Sequence, residues 1–156
     1  MAIYTKISIS DISFIEKKFN LGKIISFKGI KKGIENTNYL LKTKNKKFIL
    51  TLFEKRVQKK DLPFFINLMD KLSKYKINCP EPQRNKKGNF LIKIKNKTGS
   101  IVSFVEGKDK LKLNQKNCYE IGKNIAELHR ASKKIKLDGN LYKNFFKRHQ
   151  IYRKKI

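Results

Sequence analysis

The sequence predicts an α+β domain in which five antiparallel strands form one sheet and a helix packs on it. Three observations lead to this class. Five short runs are rich in β-branched residues, three other segments carry apolar residues at helical spacing, and turn residues separate them. Their order is helix, three strands, helix, two strands, helix. With 156 residues, 39% of them hydrophobic, the chain is large enough to bury a core.

The first helix is predicted over residues 9–19, where apolar residues recur at helical spacing after a cap at Ser10 or Asp11. Three strands are predicted to follow it, over residues 22–30, 37–43 and 47–54. Residues 44–46 form the tight turn between the second and third strands. The polar segment between the first two strands contains two glycines, one glutamate and two asparagines. It is either an ordinary loop or a loop shaped to hold phosphate.

The second helix is predicted over residues 61–76, with Asp61 as its cap and a proline in the first turn, where a missing N–H is harmless. The two prolines of "NCPEP" then favour extended backbone. Two further strands are predicted around a turn at 96–99, over residues 90–95 and 100–106. The third helix is predicted over residues 114–133 with Asn114 as its cap, and the polar residues 107–112 before it indicate a hinge.

The net charge of +27, from 39 basic and 12 acidic residues, raises the question of a nucleic-acid partner. Nearly all of the cations are lysines spread along the chain, whereas arginine is the better bidentate reader of phosphate and guanine. Lys, Asn and Ile all have A/T-rich codons, so a genome-wide base bias explains the charge without a partner. We therefore expect no nucleic-acid partner, with a basic RNA-binding domain as an alternative.

The sequence favours a cytoplasmic protein. No apolar run approaches the ~18–20 residues that a membrane span requires, and the N-terminus mixes charged and apolar residues too closely for a signal peptide. Cys79 and Cys118 lie far apart and outside any metal-binding pattern, which is typical of two reduced thiols. We expect neither a membrane partner nor a structural zinc site.

Six stretches, in this order, resemble the homoserine kinases of the aminoglycoside-phosphotransferase-like branch of kinases. They are "GIENTNYLL", "KFILTLFEKR", "DLPFFINLMDKL", "INCPEPQRNKKG", "SIVSFVEGK" and "IGKNIAELH". The predicted order of strands and helices is also that of a kinase small lobe. The resemblance implies a protein-kinase-like nucleotide-binding lobe at residues 1–105, followed at 106–156 by a hinge and the truncated start of the large lobe.

The resemblance also implies an activity, the ATP-dependent phosphorylation of the L-homoserine hydroxyl in threonine biosynthesis, with Mg²⁺ as cofactor. In this family the first hairpin covers ATP, and its loop approaches the phosphates. Gly29 and Gly33 would permit a close approach or a positive φ there. The main-chain N–H groups expected to face phosphate, with two asparagine amides as added donors, belong to Glu35, Asn36, Thr37 and Asn38.

The resemblance places adenine between the sheet and the hinge. Ile30, Leu40 and Ile49 are candidates for the walls around adenine, with plain sheet core as the alternative for all three. The segment "SFVEG" matches the hinge of the family, whose main-chain groups bind the adenine edge. The residues expected to supply those groups are Phe104, Val105 and Glu106.

One strand position departs from the kinase pattern. Many kinases place a lysine on the third strand that pairs with the phosphates, and Thr51 occupies that position here. Thr51 offers a hydroxyl but no charge. Lys55 has the same strand parity and is either directed inward or, like Arg56, only solvated. The usual Lys–Glu pair is not visible, since Asp70 is the only carboxylate inside the second helix.

We expect no catalytic residue and no metal ligand in this chain. Phosphoryl transfer needs an aspartate near the acceptor hydroxyl and ligands for Mg²⁺, which kinases carry in the large lobe. In "HRA", Ala131 stands where the kinase motif has aspartate, and His129 is interpreted as a packed or capping residue. Asp138 has no asparagine at the expected spacing. The resemblance therefore implies a fragment that is inactive on its own.

The third predicted helix carries an apolar face formed by Ile121, Ile125 and Leu128. A complete large lobe would cover this face, so we expect self-association through it in the fragment. Besides an RNA-binding domain, two alternatives stay open: another small-molecule kinase of the choline or aminoglycoside type, and a nucleotide-binding module without catalysis.

Overall fold

The computed structural model describes residues 3–55, 57–75, 77–107 and 109–136. The predictions for Arg56, for Asp138 and for a helix end at Lys76 lie outside the described residues. The elements formed by the described residues are α1 (Ile9–Lys18), β1 (Ile24–Gly29), β2 (Thr37–Thr43), β3 (Lys47–Phe53), α2 (Leu62–Lys74), β4 (Leu91–Ile94), β5 (Lys97–Ser103) and α3 (Gln115–Lys134).

The five strands form one sheet in the order β1-β2-β3-β5-β4, and every neighbouring pair is antiparallel. The first three strands follow one another as a meander. After α2 the chain returns as the β4–β5 hairpin, and β5 pairs with β3. The predicted α+β class and the five-stranded antiparallel sheet are confirmed. β2 has its predicted bounds, and β1, β3 and β4 are shorter at their ends.

The chain divides into two compact units. The first comprises the described residues of 1–62 and 80–104, and the second those of 63–79 and 105–136. The predicted division, with one lobe at 1–105 and the rest at 106–156, differs in the place of residues 63–79 and of Val105. It stays a prediction about the lobes of the whole kinase fold.

One face of the sheet in the first unit is closed by α1. Alternation along each strand directs every second side chain to this face. Ile12 and Ile15 of α1 are buried in a single core with the strand residues. The strand residues that are fully or almost fully buried there are Tyr39, Leu41, Phe48, Leu50, Leu52, Ile94 and Ile101. We call this side of the sheet the covered face.

The N-terminus of α1 is capped differently from the prediction. The cap residue is Ser8, not Ser10 or Asp11. The carboxylate of Asp11 accepts hydrogen bonds from the main-chain N–H and the hydroxyl of Ser8, both at 2.8 Å. Asp11 therefore belongs to a capping box, in which the third helical residue bonds back to the cap. The apolar spacing identified the helix and its first residue correctly, but the cap was placed two or three residues too late.

The hairpin between β4 and β5 turns earlier than predicted. Lys95 and Asn96 both have positive φ, 47° and 62°, and form a two-residue turn. Turns of this kind match the twist of antiparallel strands, so pairing resumes at Lys97. The predicted turn at 96–99 and the bounds of the predicted strand at 100–106 are therefore wrong, since β5 is Lys97–Ser103 and both of its ends lie three residues earlier.

Gly99 misled that prediction because its role is steric and not conformational. A Cβ atom at this position would lie 2.9 Å from Cδ2 of Leu52 and 3.1 Å from the carbonyl oxygen of Thr51. Gly99 is paired with Leu52 inside the sheet. Glycine is needed here for the close approach of β3 to β5.

The second unit contains α3 and all of α2 except Leu62. The predicted cap of α3 is confirmed, since the side chain of Asn114 accepts a hydrogen bond of 2.9 Å from the N–H of Asn117. His129 was predicted to be packed or capping, and this is wrong. Its side chain is exposed and therefore not packed, and α3 continues five residues beyond it to Lys134, so His129 does not cap the helix. None of the helices among the described residues has the length and hydrophobicity of a membrane span.

Candidate functional site

The loop between β1 and β2 contains the polar segment that the sequence singled out. Its base is closed by a hydrogen bond of 2.8 Å from the N–H of Ile30 to the carbonyl of Asn38. Gly33 has φ of +114°, a conformation that side chains rarely adopt. Gly29, at the end of β1, lies against the side chain of Ile3, where a Cβ atom would collide. Gly33 therefore has the positive φ that was expected, whereas the close approach at Gly29 is to the N-terminal segment. An approach of either glycine to phosphate stays a prediction.

The face of the sheet opposite to the covered face begins at this loop. Asn38 pairs with Thr51, and Leu40 pairs with Ile49, in the register of β2 and β3. Ile30 lies opposite Asn38 at the edge. All five side chains are half-buried. The opposite face thus carries an apolar strip that ends, next to the loop, in two polar side chains.

The hydroxyl of Thr51 donates a hydrogen bond of 2.7 Å to Oδ1 of Asn38. The sequence predicted Thr51 at the position of the kinase lysine, as a hydroxyl donor. In the structure that hydroxyl donates to Oδ1 of Asn38. The Nδ2 group is therefore the donor that the Asn38 side chain can offer to a ligand. The two residues therefore act together, with Thr51 setting the orientation of the amide.

Thr37 lies on the covered face and not beside Asn38. It is fully buried, and its hydroxyl donates a hydrogen bond of 2.7 Å to Oε1 of Glu54. The same oxygen of Thr37 accepts the main-chain N–H groups of Tyr4 and Thr5, at 3.0 and 3.2 Å. Because these bonds engage the side chain, only the main chain of Thr37 is available to a ligand at the loop.

Glu54 is the charged centre of this arrangement. Its side chain is only 8% exposed, and Oε2 lies 2.6 Å from Nζ of Lys97. Oε1 also accepts a hydrogen bond of 2.7 Å from the hydroxyl of Thr5. Burial by itself raises the pKa of Glu54, but the hydrogen bond and charge of Lys97, with the two threonine hydroxyls, hold that pKa below its ordinary value.

Two further hydrogen bonds reach the loop itself. The side-chain oxygen of Asn36 accepts the main-chain N–H of Glu54 at 3.3 Å. The hydroxyl of Tyr4 donates to the carbonyl of Ile34 at 3.0 Å. The amide oxygen of Asn36 is therefore engaged by the residue that follows β3, and the Nδ2 group is the donor that this side chain can offer. Its contact with phosphate stays a prediction.

A cavity of about 430 Å³ lies at this end of the first unit. Its lining includes Glu35 and Ile34 from the loop, Tyr4 from the N-terminal segment, and Lys55 after β3. Lys55 lies two residues beyond the end of β3 at Phe53. Of the two alternatives for Lys55, the structure has an exposed side chain that borders the cavity.

The predicted hinge residues are divided between the units. Phe104 ends the first unit, where its N–H donates a hydrogen bond of 3.0 Å to the carbonyl of Lys47. The ammonium group of Lys47 lies 5.4 Å from the centre of the Phe104 ring. Val105 and Glu106 belong to the second unit and are exposed. Their role with adenine stays a prediction.

The second unit accounts for the carboxylate inside α2. Asp70 is buried and forms an ion pair of 2.9 Å with Lys74, one helical turn further on.

Both cysteines are free, and burial raises the pKa of the Cys79 thiol. Among the described residues, no three His, Cys, Asp or Glu side chains are grouped as a metal site would require.

Sequence reasoning missed three residues of the loop region: Glu54, Lys97 and Tyr4. A signal for the first was present, because Glu54 continues the alternation of Phe48, Leu50 and Leu52 toward the covered face. A carboxylate at a position of buried parity requires a cation or donors. No local pattern identifies Lys97 as that cation, because 43 positions of sequence separate it from Glu54.

Two solved structures of similar fold are a spectinomycin phosphotransferase and an amicoumacin kinase. Among solved structures, a spectinomycin phosphotransferase in complex with ADP and spectinomycin matches with a TM-score of 0.64 and 12% identity, over 88% of this chain and 41% of that one. An amicoumacin kinase in complex with AMP-PNP and Ca²⁺ matches with a TM-score of 0.68 and 12% identity, over 88% and 43% of the two chains. At this identity the likeness shows the fold alone.

Curated relatives are much closer in sequence. A homoserine kinase of Beijerinckia indica is 41% identical over 131 residues, which cover 84% of this chain and 41% of the relative. A homoserine kinase of Rhizobium etli is 40% identical over 137 residues, which cover 88% of this chain and 43% of the relative. The chain thus spans about two fifths of the length of these relatives.

The family comparison covers both units. The description of a phosphotransferase enzyme family matches residues 26–152 of the 156. This match includes the loop, the opposite face of the sheet and α3. The chain therefore belongs to the phosphotransferase enzyme family.

Proposed function

We propose that this chain is the nucleotide-binding part of a homoserine kinase, which transfers a phosphoryl group from ATP to the hydroxyl of L-homoserine in threonine biosynthesis. The observation that carries this proposal is the identity of 40–41% with homoserine kinases over about 130 residues. Membership of the phosphotransferase family favours this activity over a basic RNA-binding domain. A cytoplasmic location belongs to the same proposal, because the reaction draws on ATP.

A nucleotide fits the chemistry of the opposite face. Ile30, Leu40 and Ile49 offer an apolar surface of the kind that accommodates a purine ring. Asn38 and Thr51, at the loop end of that strip, offer the polar groups that phosphates need. ATP supplies the phosphoryl group when it is bound, and the residues of the chain bind and orient it.

Asn38 is the side chain that we propose for the phosphates. Its Nδ2 group donates toward an oxygen of the phosphate, while Thr51 holds Oδ1 and so fixes the amide. A neutral donor then stands where many kinases have a lysine. Main-chain N–H groups of the loop, around Glu35 to Asn38, complete the contacts, and Gly33 permits the curvature of that backbone.

The adenine and metal contacts extend the same proposal. The main-chain groups of Phe104, Val105 and Glu106 recognise the adenine edge, as the family resemblance implies. Of the two kinases of similar fold, one is in complex with ADP and the other with AMP-PNP and Ca²⁺. Both support the binding of a nucleotide here, and the second supports a divalent cation beside it. We propose Mg²⁺ as that cation, because Mg²⁺ is the usual companion of ATP phosphates. The ligands of this cation and the catalytic aspartate are proposed outside the described residues.

Phosphate transfer with competing acceptors tests the proposal. Because the chain is expected to be inactive on its own, the gene is expressed together with the DNA that follows it, so that any large lobe encoded there is included. The purified protein is incubated with ATP labelled in the γ-phosphate, Mg²⁺, and L-homoserine, choline or spectinomycin. Labelled O-phosphohomoserine is expected, with little product from the other two acceptors. Transfer to choline or spectinomycin and none to homoserine would reject the substrate. Absence of any nucleotide binding by titration calorimetry would reject the kinase proposal itself.

A further inference from the structure

The loop between β1 and β2 is attached at three points to residues outside the hairpin that carries it. The hydroxyl of Tyr4 bonds to the carbonyl of Ile34, and the N–H of Glu54 bonds to the side chain of Asn36. The carboxylate of Glu54 bonds to the hydroxyl of Thr37, the first residue after the loop. Gly33 lies between these attachments and the end of β1, in a conformation with positive φ.

The attachment points are themselves joined into one network. Glu54 Oε1 accepts the hydroxyls of both Thr5 and Thr37, and Glu54 Oε2 pairs with Lys97. Thr37 accepts the N–H groups of Tyr4 and Thr5 in return. Since a charged acceptor makes the stronger hydrogen bonds, the Glu54 carboxylate is the member on which the others depend most.

We propose that Glu54, held by Lys97, is a positioning residue that fixes the β1–β2 loop in its nucleotide-binding shape through Thr37, Asn36 and the N-terminal segment. The inference rests on the proposed function for its link to the nucleotide. A flexible loop must lose conformational freedom when it closes on phosphate, and a loop that is already fixed loses less. Glu54 lies on the covered face and so acts on the ligand only through the loop.

The location of the network distinguishes this role from ordinary core stability. The core beneath α1 is apolar, whereas these polar groups are gathered at the end of the sheet where the loop begins. Apolar residues of similar volume would stabilise this end of the sheet at least as much as the two threonines, the glutamate and the lysine do. What these polar contacts provide is a defined position for residues 34–37.

Amide hydrogen exchange, measured by mass spectrometry on the full chain, tests the positioning role without any nucleotide. Glu54→Gln removes the charge that pairs with Lys97 and is expected to increase exchange at residues 33–38 by about tenfold, the factor that corresponds to about 1.4 kcal/mol of local opening. Glu16→Gln is the matched control, because Glu16 is also a carboxylate of the first unit but bonds the N–H of Ile24. Glu16→Gln is expected to leave exchange at 33–38 unchanged.

Nucleotide titration of the same proteins tests the functional link. Glu54→Gln is expected to raise the Kd for ATP with Mg²⁺ by about fivefold to tenfold, with the Kd of Glu16→Gln unchanged. Tyr4→Phe removes only one exposed hydroxyl that bonds Ile34, so it preserves folding and is expected to give smaller changes of the same sign in both measurements.

The outcomes separate this inference from the proposed function. Unchanged exchange at 33–38 in both Glu54→Gln and Tyr4→Phe overturns the positioning role, whatever the nucleotide does. Increased exchange with an unchanged Kd overturns the link between loop shape and binding. If the unmodified protein binds no nucleotide, the kinase proposal fails, and the exchange measurement still decides whether Glu54 positions the loop.

Discussion

Oδ1 of Asn38 accepts a hydrogen bond of 2.7 Å from the hydroxyl of Thr51, across the β2–β3 pair. This bond joins the asparagine of the loop base to the strand position at which many kinases carry a lysine. The two residues therefore have different roles. The hydroxyl of Thr51 is used in this bond, and the amide of Asn38 is oriented by it. The first two predictions follow from this division.

Asn38→Asp is expected to weaken ATP binding by about tenfold to a hundredfold. The substitution replaces an amide donor by a carboxylate of the same shape, so a hydrogen bond to a charged group, worth about 1.5–3 kcal/mol, is exchanged for repulsion. Titration calorimetry with ATP and Mg²⁺ measures the change. Asn89→Asp, which introduces the same charge at an exposed turn, serves as the control. An equal loss of affinity in both variants would assign the effect to net charge.

Thr51→Val is expected to weaken ATP binding by about fivefold, because it removes only the bond that orients Asn38, worth about 1 kcal/mol. Its effect should depend on Asn38. A double-mutant cycle with Asn38→Ala measures this dependence, and Thr51→Val should have almost no effect in the Asn38→Ala background. Full additivity of the two losses would mean that Thr51 contacts the nucleotide independently of Asn38.

Acid is expected to remove the stability contributed by Glu54. The folded-state pKa of Glu54 lies below its ordinary value of 4.5, so the contribution is fully present above pH 4.5 and is lost as the pH falls through the folded pKa. Urea unfolding of the wild type between pH 3 and 7 should therefore show a steeper loss below pH 4.5 than unfolding of Glu54→Gln. Parallel curves for the two proteins below pH 4.5 would contradict the lowered pKa.

Gly99→Ala is expected to destabilise the first unit by about 1–3 kcal/mol, the usual consequence of overpacking. The added methyl group meets the main-chain oxygen of Thr51 and the buried side chain of Leu52, neither of which can move easily. Gly122→Ala makes the same change in α3, where no atom lies within 4 Å, and should stabilise by about 0.5–1 kcal/mol. Urea unfolding of both variants measures the two signs. A neutral Gly99→Ala would show that β3 and β5 separate without strain.

The apolar face of α3 is expected to cause self-association of the chain. Ile121, Ile125 and Leu128 are 47, 48 and 36% exposed, and such a contiguous apolar surface tends to pair with a second copy. Sedimentation velocity should show dimers or larger species that diminish in Ile125→Gln. Lys123→Gln, on the same helix, should leave them unchanged. A single monomeric species of the unmodified chain at all concentrations would refute this expectation.

The helices, the strands and their order were predictable because each depends on neighbours along the chain. The alternation of β2, the helical spacing of α1 and the asparagine cap of α3 are local features, and all three are present as predicted in type. The β4–β5 turn was misplaced because Gly99 is a strong turn signal in any local pattern. Only its distance to Leu52 reveals that it serves the packing of two strands.

The sequence by itself determined that this chain forms a five-stranded sheet with a glycine-containing polar loop, and its six family-like stretches pointed to a homoserine kinase. Tertiary structure decided what the polar side chains do. The register of β2 and β3 brings the Thr51 hydroxyl to Asn38, and the pairing of β3 with β5 brings Lys97 to Glu54. Hydrogen bonds and ion pairs act over about 3 Å, so their partners are set by strand pairing across distant parts of the chain, which periodicity does not encode.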